Sequence, residues 1–385
     1  MIVGIPKEIM TGEARVAATP ETVEKFVSEG VSVLVEAGAG ENSLYSDQEY
    51  KDAGAKLIGD TQLLYSQSDL ILKVKEPLFN ERIGRHEVDL MHEGQYLITF
   101  IHPASPVNHD MVKQLAEKGV ISMTLDSIPR ISRAQSMDAL TSMSTCAGYK
   151  GIMMAANELS IFMPQLFTPV GKLNPANVLV IGSGVAGLQA LATAKRLGAV
   201  TYALDIRPAA NEQAMSVGAK TIGSGVPEEL AVGKGGYAQK LPDEWLEKER
   251  EVLKNILKDM DIVFCSALIP GKVAPILITE EMMKTMKKGS VIVDVSIDQG
   301  GNCELTVPGK QEVFHGVKVQ GIKNIPGLIP TSSTWMFSQN IYNLVMHLIK
   351  DGEINLDMDD VIVKDILVTH DNKIVHSGTR EAMGL

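Results

Sequence analysis

Three glycines spaced as Gly-x-Gly-x-x-Gly stand between an apolar run and a helix-like stretch, a spacing suited to binding a pyrophosphate. They are Gly182, Gly184 and Gly187, and the apolar run before them covers residues 178–181. The first glycine permits a tight turn, the second lets the backbone approach the pyrophosphate, and the third lets the helix pack closely on the strand. Val185 opens the helix, whose first N–H groups lack partners within the helix and can donate to phosphate oxygens.

An acidic residue follows where the ribose of an adenosine would lie. Asp205 ends a second apolar run, residues 201–204. Its position is near the ~20-residue offset at which a carboxylate accepts both ribose hydroxyls. The charge of Asp205 would repel a 2′-phosphate, although Arg207 could partly offset that repulsion. The sequence therefore predicts a site that prefers NAD(H) to NADP(H).

Composition narrows the class of protein. A chain of 385 residues has the length of two or three domains, and two fits better. A net charge of −11, without a local cluster of lysine and arginine, argues against a nucleic-acid partner. Cys146, Cys265 and Cys303 do not have metal-ligand spacing, so we expect reduced thiols and no metal site. We also expect no signal peptide, because the N-terminus has neither a basic region nor the apolar region that follows it in such peptides. We expect no membrane insertion, because Pro175 and the glycine turn interrupt the longest uncharged stretch.

The N-terminal third of the chain alternates strand-like and helix-like segments, which predicts a parallel sheet with crossover helices. The predicted strands are 2–5, 31–35, 70–74, 96–101 and 121–125, and the predicted helices are 20–29, 47–53 and 107–118. Thr19 followed by Pro20 is a favourable helix start, and Gly30 a favourable stop. This region has no glycine fingerprint, so we expect a Rossmann-like domain without its own nucleotide.

The region after the fingerprint predicts a second sheet and a return to the first domain. Strands at 220–222, 262–266 and 291–295 would complete that sheet, with helices at 212–218, 243–258 and 279–286. The glycine-rich connection 223–242 is predicted to be a mobile, functional excursion. A core helix at 332–350 and a strand pair at 360–375 would return the chain to domain 1. We therefore predict an α/β protein of two Rossmann-like, doubly wound parallel-sheet domains, 1–138 with 328–385 and 139–327, the first discontinuous.

A polar loop lies between the two blocks. It begins at residue 126 and becomes helical near residue 136. Within it Arg130, Gln135 and Asp138 could clamp the nicotinamide half of a dinucleotide, with the guanidinium and amide on the carboxamide and ribose and the carboxylate orienting Arg130. A salt-bridge loop between domains would contain the same residue types. Spacing alone leaves both interpretations open.

Five stretches of the sequence together resemble one family. They are PRISRAQSMDAL at 129–140, VIGSGVAGLQALATAKRLGA at 180–199, GGYAQ at 235–239, SALIPGK at 266–272 and GGNCE at 300–304. The chain resembles, over essentially its whole length, the NAD(H)-binding component, domain I, of proton-translocating nicotinamide nucleotide transhydrogenase. The resemblance implies that Arg130, Gln135 and Asp138 organise the nicotinamide, and that Asp205 binds the adenosine ribose.

The resemblance implies further contacts and partners. Tyr237 would lie on a mobile loop that closes over the nucleotide, and Gly236 and Leu268 would also contact it. Thr141 stands where many members have serine, which keeps the hydroxyl and adds a methyl group. NADH would pass hydride to NADP⁺ held on a partner subunit, with proton translocation in membrane-spanning subunits. The chain itself would be a cytoplasmic homodimer, peripherally associated with the membrane through those partners.

Two alternatives stay open at this point. The same superfamily includes alanine dehydrogenase, and Arg15, Lys75, His102 and Asp298 match positions that there bind the substrate and exchange the proton. Two cations suit an acid, and a histidine can titrate near neutral pH. Each of these residues alone is also typical of strand-end surface charge or of a core histidine. The second alternative is a non-catalytic NAD-binding module.

Overall fold

The computed structural model describes residues 1–233, 236–269 and 273–385, and the chain divides into two compact units. Unit 1 comprises Met1–Met143 and Gly327–Leu385, and unit 2 comprises Ser144–Pro326. The sequence-based division places the first boundary at 138/139, where the helix Ala139–Glu158 begins. The boundary between the compact units falls inside that helix.

Unit 1 is built on a sheet with eight strands in the described ranges. In spatial order they are Lys373–Ile374, Leu367–His370, Ile121–Thr124, Tyr96–Thr99, Leu70–Leu72, Ile2–Ile5, Ser32–Glu36 and Lys56–Ile58. The strands from the N-terminal third of the chain are parallel, whereas Leu367–His370 is antiparallel to both of its neighbours. Numbered along the chain, the parallel strands lie in the order 3-2-1-4-5-6. The winding therefore reverses between Ile2–Ile5 and Leu70–Leu72.

The helices of unit 1 start where the local chemistry indicates. They are Pro20–Ser28, Asp47–Asp52, Thr61–Gln67, Glu87–Leu90, His109–Glu117, Pro330–Leu348, Val361–Ile366 and Ser377–Met383. The predicted start at Thr19-Pro20 is confirmed, because the Thr19 side chain accepts a hydrogen bond from the Thr22 N–H. The strand prediction for 360–375 is wrong in its first half. There the Asp360 carboxylate accepts from the Ile362 N–H and caps a helix.

Unit 2 has a sheet with seven described strands. In spatial order they are Lys220–Thr221, Val200–Leu204, Asn177–Ile181, Ile262–Cys265, Val291–Asp294, Val317–Gln320 and Gln311–Phe314. All are parallel except the last, and the parallel strands again follow the order 3-2-1-4-5-6. The prediction that residues 291–295 complete this sheet is wrong, because the hairpin formed by the last two strands extends it. Its turn has positive φ at His315 and Gly316, which favours a tight hairpin connection.

Helices cover both faces of the unit 2 sheet. The helices are Val185–Arg196, Pro208–Ser216, Glu228–Ala231, Asp243–Leu257 and Glu280–Met283, and a separate hairpin joins Leu166–Thr168 to Gly171–Leu173. Along the central strand, Val178 and Val180 belong to one buried cluster and Leu179 and Ile181 to another. A strand buried on both faces is typical of a doubly wound sheet. In the portion of the chain that the structure describes, no helix combines the length and hydropathy needed to cross a membrane.

Candidate functional site

Two of the three fingerprint glycines are required by contacts within the protein. Gly182 has φ +89°, and a Cβ atom there would lie 2.7 Å from the backbone nitrogen of Ala267. A Cβ atom on Gly187 would lie 2.1 Å from the carbonyl oxygen of Gly182. Any side chain at either position would therefore displace backbone. These glycines fix the turn and bring the helix Val185–Arg196 close to its strand.

Gly184 is different, because the fold does not require a glycine there. Its φ is −73°, which any residue adopts, and a Cβ atom would meet nothing described within 4 Å. Gly184 is the N-cap of the helix Val185–Arg196, and among the described residues no side-chain hydrogen bond caps this helix end. The first N–H groups of this helix lack partners within the helix, and the surface at Gly184 is open beside them. This open surface fits the pyrophosphate of a dinucleotide, which needs close approach to backbone at this position.

Asp205 is buried and hydrogen-bonded at both oxygens. Oδ1 accepts from the backbone N–H and Nε of Arg207, both at 2.9 Å. Oδ2 accepts from the Ser183 N–H and from Nη2 of Arg207, both at 2.8 Å. A carboxylate offers about four lone-pair positions, so these bonds use its accepting capacity. Ribose hydroxyls can bind Asp205 only when at least one bond from Arg207 is released.

Two buried polar groups near Asp205 were missed by the sequence analysis. Glu249 lies on the helix Asp243–Leu257 and is 4% exposed. Burial, together with the nearby charge of Asp205, raises the pKa of Glu249 to about 7. The Oγ atom of Ser183 is buried and has no hydrogen-bond partner in the described ranges. Ser183 could have been found as a variable position of the fingerprint, whereas the sequence carries no signal that Glu249 lies near Asp205.

The glycine-rich connection at 223–242 contains some local ordered structure. It includes the helix Glu228–Ala231 and a bridge between Val232 and Ala238. Gln239 was missed as an anchor, and its amide donates to the carbonyl oxygens of Glu229 and Val232, both at 3.0 Å. The mobility of this connection stays a prediction.

The predicted contact residues of this connection and of the SALIPGK stretch lie in loops. Gly236 has φ +77°, and Tyr237 has a carbonyl oxygen that accepts from the Gly233 N–H at 2.8 Å. Leu268 is 37% exposed and follows the strand Ile262–Cys265. Lys234 and Gly235, which belong to the first loop, and residues 270–272 of the second lie outside the described residues.

The PRISRAQSMD loop of unit 1 is anchored from beneath and presents polar side chains outward. Its turn, Ser132–Met137, buries Ala134 and Met137. The carbonyl oxygen of Ser136 accepts bonds from the side-chain amides of Asn340 and Asn343 at 2.9 and 3.1 Å. Arg130 and Gln135 are exposed. The two asparagines were missed, because they lie some 200 residues away along the chain.

Ion pairs hold the same loop. Arg133 donates to Asp360 at 2.6 Å, and His347 Nε2 lies 2.6 Å from the second oxygen of Asp360. Arg133, assisted by the Ile362 N–H and by His347, lowers the pKa of Asp360 to about 2. Arg133 is therefore a structural anchor, whereas Arg130 and Gln135 of the same loop are exposed.

Asp138 ends the loop as a helix cap. Its Oδ1 accepts from the Thr141 N–H at 2.8 Å, and its Oδ2 accepts from the Thr141 hydroxyl at 2.7 Å. The helix Ala139–Glu158 begins directly after it. The hydroxyl that serine and threonine share is thus used by the cap. The predicted role of Asp138 in orienting Arg130 stays a prediction.

The residues that match alanine dehydrogenase have different surroundings. Arg15 is 3% exposed, and its Nε and Nη2 donate to Glu13 at 2.7 and 2.6 Å. His102 has φ +48°, and its Nδ1 lies 2.7 Å from Oδ1 of Asp126. Burial opposes protonation of His102, but Asp126 outweighs it and raises the histidine pKa. The charge of Arg15 is thus already matched by a buried carboxylate, whereas the His102 ring is held by Asp126.

The remaining two residues of that set lie in loops of different units. Lys75 follows the strand Leu70–Leu72 of unit 1. Asp298 lies in the turn Ile297–Gln299 of unit 2, with its Oδ1 3.8 Å from Nζ of Lys323. The structure therefore brings Arg15, Lys75 and His102 into one unit, and Asp298 is in the other.

A buried charge network occupies the switch point of unit 1. Lys73, fully buried, lies directly after Leu70–Leu72, and its Nζ is 2.8 Å from Oε1 of Glu87 and 3.5 Å from Oε2 of Glu8. The Tyr65 hydroxyl donates to Glu87 at 3.0 Å. Burial raises the pKa of Glu8 to about 7, although Lys73 acts in the opposite direction. Glu8 and Lys73 follow the first and fourth parallel strands of unit 1, and in strand order these correspond to the strands Asn177–Ile181 and Ile262–Cys265 of unit 2.

An open glycine turn at the switch point of a doubly wound sheet, with an acid after the second strand, defines a dinucleotide-binding α/β protein. The chain belongs to the alanine dehydrogenase/PNT family. Residues 4–147 match the N-terminal domain of that family, and residues 151–377 match its C-terminal domain.

Full-length relatives agree with this assignment. The chain is 43% identical over 382 residues to the first portion of NAD(P) transhydrogenase subunit alpha of Rhodospirillum rubrum, covering 98% of each chain. It is 30% identical to alanine dehydrogenase of Methanococcus maripaludis, covering 100% of this chain and 97% of the relative. The crystal structure of transhydrogenase from Sinorhizobium meliloti matches with a TM-score of 0.85 and 37% identity, covering 97% of this chain and 100% of that chain. The predicted fold class and the family resemblance are confirmed, as is the assignment to an oxidoreductase family.

Proposed function

We propose that this chain is the NAD(H)-binding component of a nicotinamide nucleotide transhydrogenase. The observation that supports it most strongly is the 43% identity, over 98% of both chains, with a portion of a transhydrogenase alpha subunit. The open backbone at Gly184 supports the binding of a dinucleotide, and Asp205 supports NAD(H) over NADP(H).

The fingerprint and its acid hold the adenosine half. Gly182 and Gly187 set the shape of the turn, while Gly184 and Val185 donate their N–H groups to the pyrophosphate. Asp205 accepts the ribose hydroxyls after Arg207 has released it. The guanidinium of Arg207 stays close enough to reduce, but not cancel, the repulsion of a 2′-phosphate.

The other half of the nucleotide is oriented by polar loops. NAD(H) supplies the hydride when it is bound. Arg130 and Gln135 hold the carboxamide and ribose, and Asp138 fixes the end of their loop. Gly236 and Tyr237 cover the nucleotide, and Leu268 packs against it. These side chains contribute by orienting the nicotinamide, since hydride transfer demands alignment of two carbons.

The second nucleotide is held elsewhere. The reaction transfers two electrons and one proton together as hydride, converting NADH and NADP⁺ to NAD⁺ and NADPH. The described residues contain one glycine fingerprint, which supports the binding of NADP(H) on a partner subunit. Proton translocation belongs to membrane-spanning subunits, and this chain is a homodimer attached through them to the cytoplasmic face of the membrane.

The transfer reaction tests the proposal. In the reconstituted complex, Arg130→Ala and Gln135→Ala should slow hydride transfer to NADP⁺ by roughly tenfold or more, with NADH affinity changed less than about twofold. Arg85→Ala is the matched control, because Arg85 is exposed in unit 1 and outside the loop. Unchanged transfer rates in both loop variants would remove the loop from the mechanism. NADH binding without transfer in the wild-type complex would favour a non-catalytic module.

An alanine dehydrogenase-like activity is the second candidate. The pair of His102 and Asp126, with 2.7 Å between Nδ1 and Oδ1, favours it, because a carboxylate that orients histidine is typical of proton exchange. The pairing of Arg15 with Glu13 weighs against it. The isolated chain should be mixed with NAD⁺ and alanine, and with NADH, pyruvate and ammonia. Turnover without a partner subunit would favour the dehydrogenase over our first proposal.

A further inference from the structure

The GGNCE stretch of unit 2 has a role that the dinucleotide contacts do not explain. Its asparagine, Asn302, is fully buried. The side-chain Oδ1 accepts from the Ala267 N–H, and Nδ2 donates to the carbonyl oxygens of Ala267 and Pro275, all at 2.9 Å. One amide thus satisfies three backbone groups in the loop that follows the strand Ile262–Cys265.

Asn302 is itself fixed by a buried carboxylate. Its backbone N–H donates to Oδ2 of Asp294 at 2.8 Å, and the same oxygen accepts from the Cys303 N–H and the Thr306 hydroxyl, both at 3.0 Å. Gly301 is needed here, because a Cβ atom would lie 2.8 Å from that oxygen and φ is +84°. Asp294 therefore determines where the amide of Asn302 points.

The loop that Asn302 holds lies directly against the fingerprint turn. The Ser266 hydroxyl donates to the carbonyl oxygen of Gly182 at 2.7 Å. The backbone at Ala267 is also the segment that a side chain at Gly182 would strike. A continuous set of bonds therefore runs from Asp294 through Asn302 and Ala267 to the glycine turn.

The position of this loop indicates which half of a dinucleotide depends on it. In a sheet of this order the dinucleotide crosses the switch point, with its two halves over the two sides of the sheet. Asp205 ends Val200–Leu204 on one side, and Asn302 supports the ends of Ile262–Cys265 and Val291–Asp294 on the other. The adenosine half belongs to the first side and the nicotinamide half to the second.

We propose that Asn302, held by Asp294, is a positioning residue that fixes the loop of Ala267 and Leu268 for the nicotinamide half of NAD(H). The proposal rests on the proposed function, since it presupposes that unit 2 binds NAD(H). Asn302 acts through the loop backbone, because its amide is fully buried and its three side-chain hydrogen bonds all go to backbone groups of the loop.

The test separates the two halves of the nucleotide. Titrations of the full chain should show that Asn302→Ala weakens NADH binding about tenfold, while binding of AMP, which lacks the nicotinamide half, changes less than about twofold. Asn177→Ala is the matched control, because the Asn177 side chain also donates to a backbone group, the Asp259 carbonyl oxygen, at 3.0 Å. Asn177 begins the strand Asn177–Ile181, at the end opposite to the fingerprint turn. That variant should bind both ligands as the wild type does.

A milder variant covers the case in which Asn302→Ala does not fold. Thr306→Val removes one of the bonds to Asp294, which holds Asn302, and should weaken NADH binding about two- to fivefold, again with AMP binding nearly unchanged. Equal weakening of NADH and AMP binding in the variants that fold, or no weakening of NADH binding, would overturn the positioning role. Wild-type protein that bound AMP but not NADH, or neither ligand, would instead contradict the proposed function.

Discussion

The two units share a strand order, but different residues lie at the switch points of their sheets. In each, the first and fourth parallel strands lie side by side, and loops at their carboxyl ends flank the reversal. In unit 2 the backbone at Gly184 faces open space. In unit 1 the segments after the corresponding strands carry Glu8 and Lys73, whose side chains are buried with that of Glu87 in one charge network. The same topology thus supplies a binding surface in one unit and a buried structural core in the other.

The difference shows that a glycine turn alone does not create the site. Unit 1 lacks the glycine turn, and the side chains of Glu8 and Lys73 beside its switch point are buried and lie 3.5 Å apart. In unit 2 most polar side chains around the turn have partners within the unit: Asp205 binds Arg207 and the backbone of Ser183, and Asp294 binds the backbone of Asn302. The exception is the buried Oγ atom of Ser183, which has no hydrogen-bond partner in the described ranges.

The largest effect is expected for the buried charge network of unit 1. Lys73→Met removes the buried counter-charge of Glu8 and Glu87 and should lower the free energy of unfolding of unit 1 by about 3–5 kcal/mol. Denaturation can be followed by Trp335 fluorescence in a Trp245→Phe background, since Trp335 belongs to unit 1. Lys113→Met, which removes an exposed pair with Asp110, is the control. A loss no larger than that of the control would show that the network does not hold this region together.

A pH-dependent effect is expected beside the open site of unit 2. The pKa of Glu249 is about 7 in the folded protein against 4.5 for the ordinary group. Between these values the folded state keeps a proton that the unfolded state has lost, so stability falls as pH rises. From pH 5 to pH 8 the wild type should lose about 2–3 kcal/mol that Glu249→Gln does not lose.

Trp245, on the same helix as Glu249, reports this transition in a Trp335→Phe background. Glu251→Gln, an exposed substitution on that helix, should retain the wild-type slope. Parallel slopes for the wild type and Glu249→Gln would contradict the assignment.

A side chain at Gly184 should obstruct the open surface of unit 2 without disturbing its fold. Gly184→Ala adds a methyl group where the fold has room, so the melting temperature should stay unchanged, while NADH binding weakens by about 10- to 100-fold. Gly59→Ala is the control, because a Cβ atom there also meets nothing described within 4 Å. Calorimetric melting and NADH titration measure the two properties. If Gly184→Ala bound NADH as tightly as the wild type does, the turn would not be the pyrophosphate site.

The smallest effect concerns the partner of Asp205. Arg207→Ala leaves the Asp205 charge less compensated and should increase the preference for NADH over NADPH by about two- to fivefold. Arg196→Ala, exposed on the fingerprint helix, should leave the ratio unchanged. Equal affinities of the wild type for NADH and NADPH would show that Arg207, rather than Asp205, dominates the ribose pocket.

Local chemistry made the strand, turn and helix around Gly182 predictable. Glycine spacing, apolar runs and caps such as Thr19-Pro20 act within a few residues, and the structure has these elements close to their predicted bounds. The error at 361–366 has a physical reason: Val361, Ile362 and Val363 favour a strand by type, but the Asp360 cap and burial select a helix. The hairpin after Val291–Asp294 was missed because its turn signal, His315-Gly316, is weak.

Long-range partners could not be predicted from one sequence. Nothing local indicates that Asn340 bonds Ser136, that Arg133 pairs with Asp360, or that Glu249 lies near Asp205. The candidate residues themselves were read from motifs, whereas the groups that hold them were not. The sequence therefore supplied candidate contacts to the nucleotide, which stay predictions, but not the groups that keep those residues in place.

The discontinuity of unit 1 has a consequence for synthesis on the ribosome. The strand Ile121–Thr124 acquires its outer neighbour, Leu367–His370, and the Ser136 carbonyl acquires Asn340 and Asn343, only after unit 2 has been translated. Unit 2 is encoded without interruption and can fold while the ribosome is still translating the end of the chain. Unit 1 therefore emerges from the ribosome first but is completed last. Until then the edge of its sheet at Ile121–Thr124 is unpaired, and an unpaired edge is a surface that chaperones can bind.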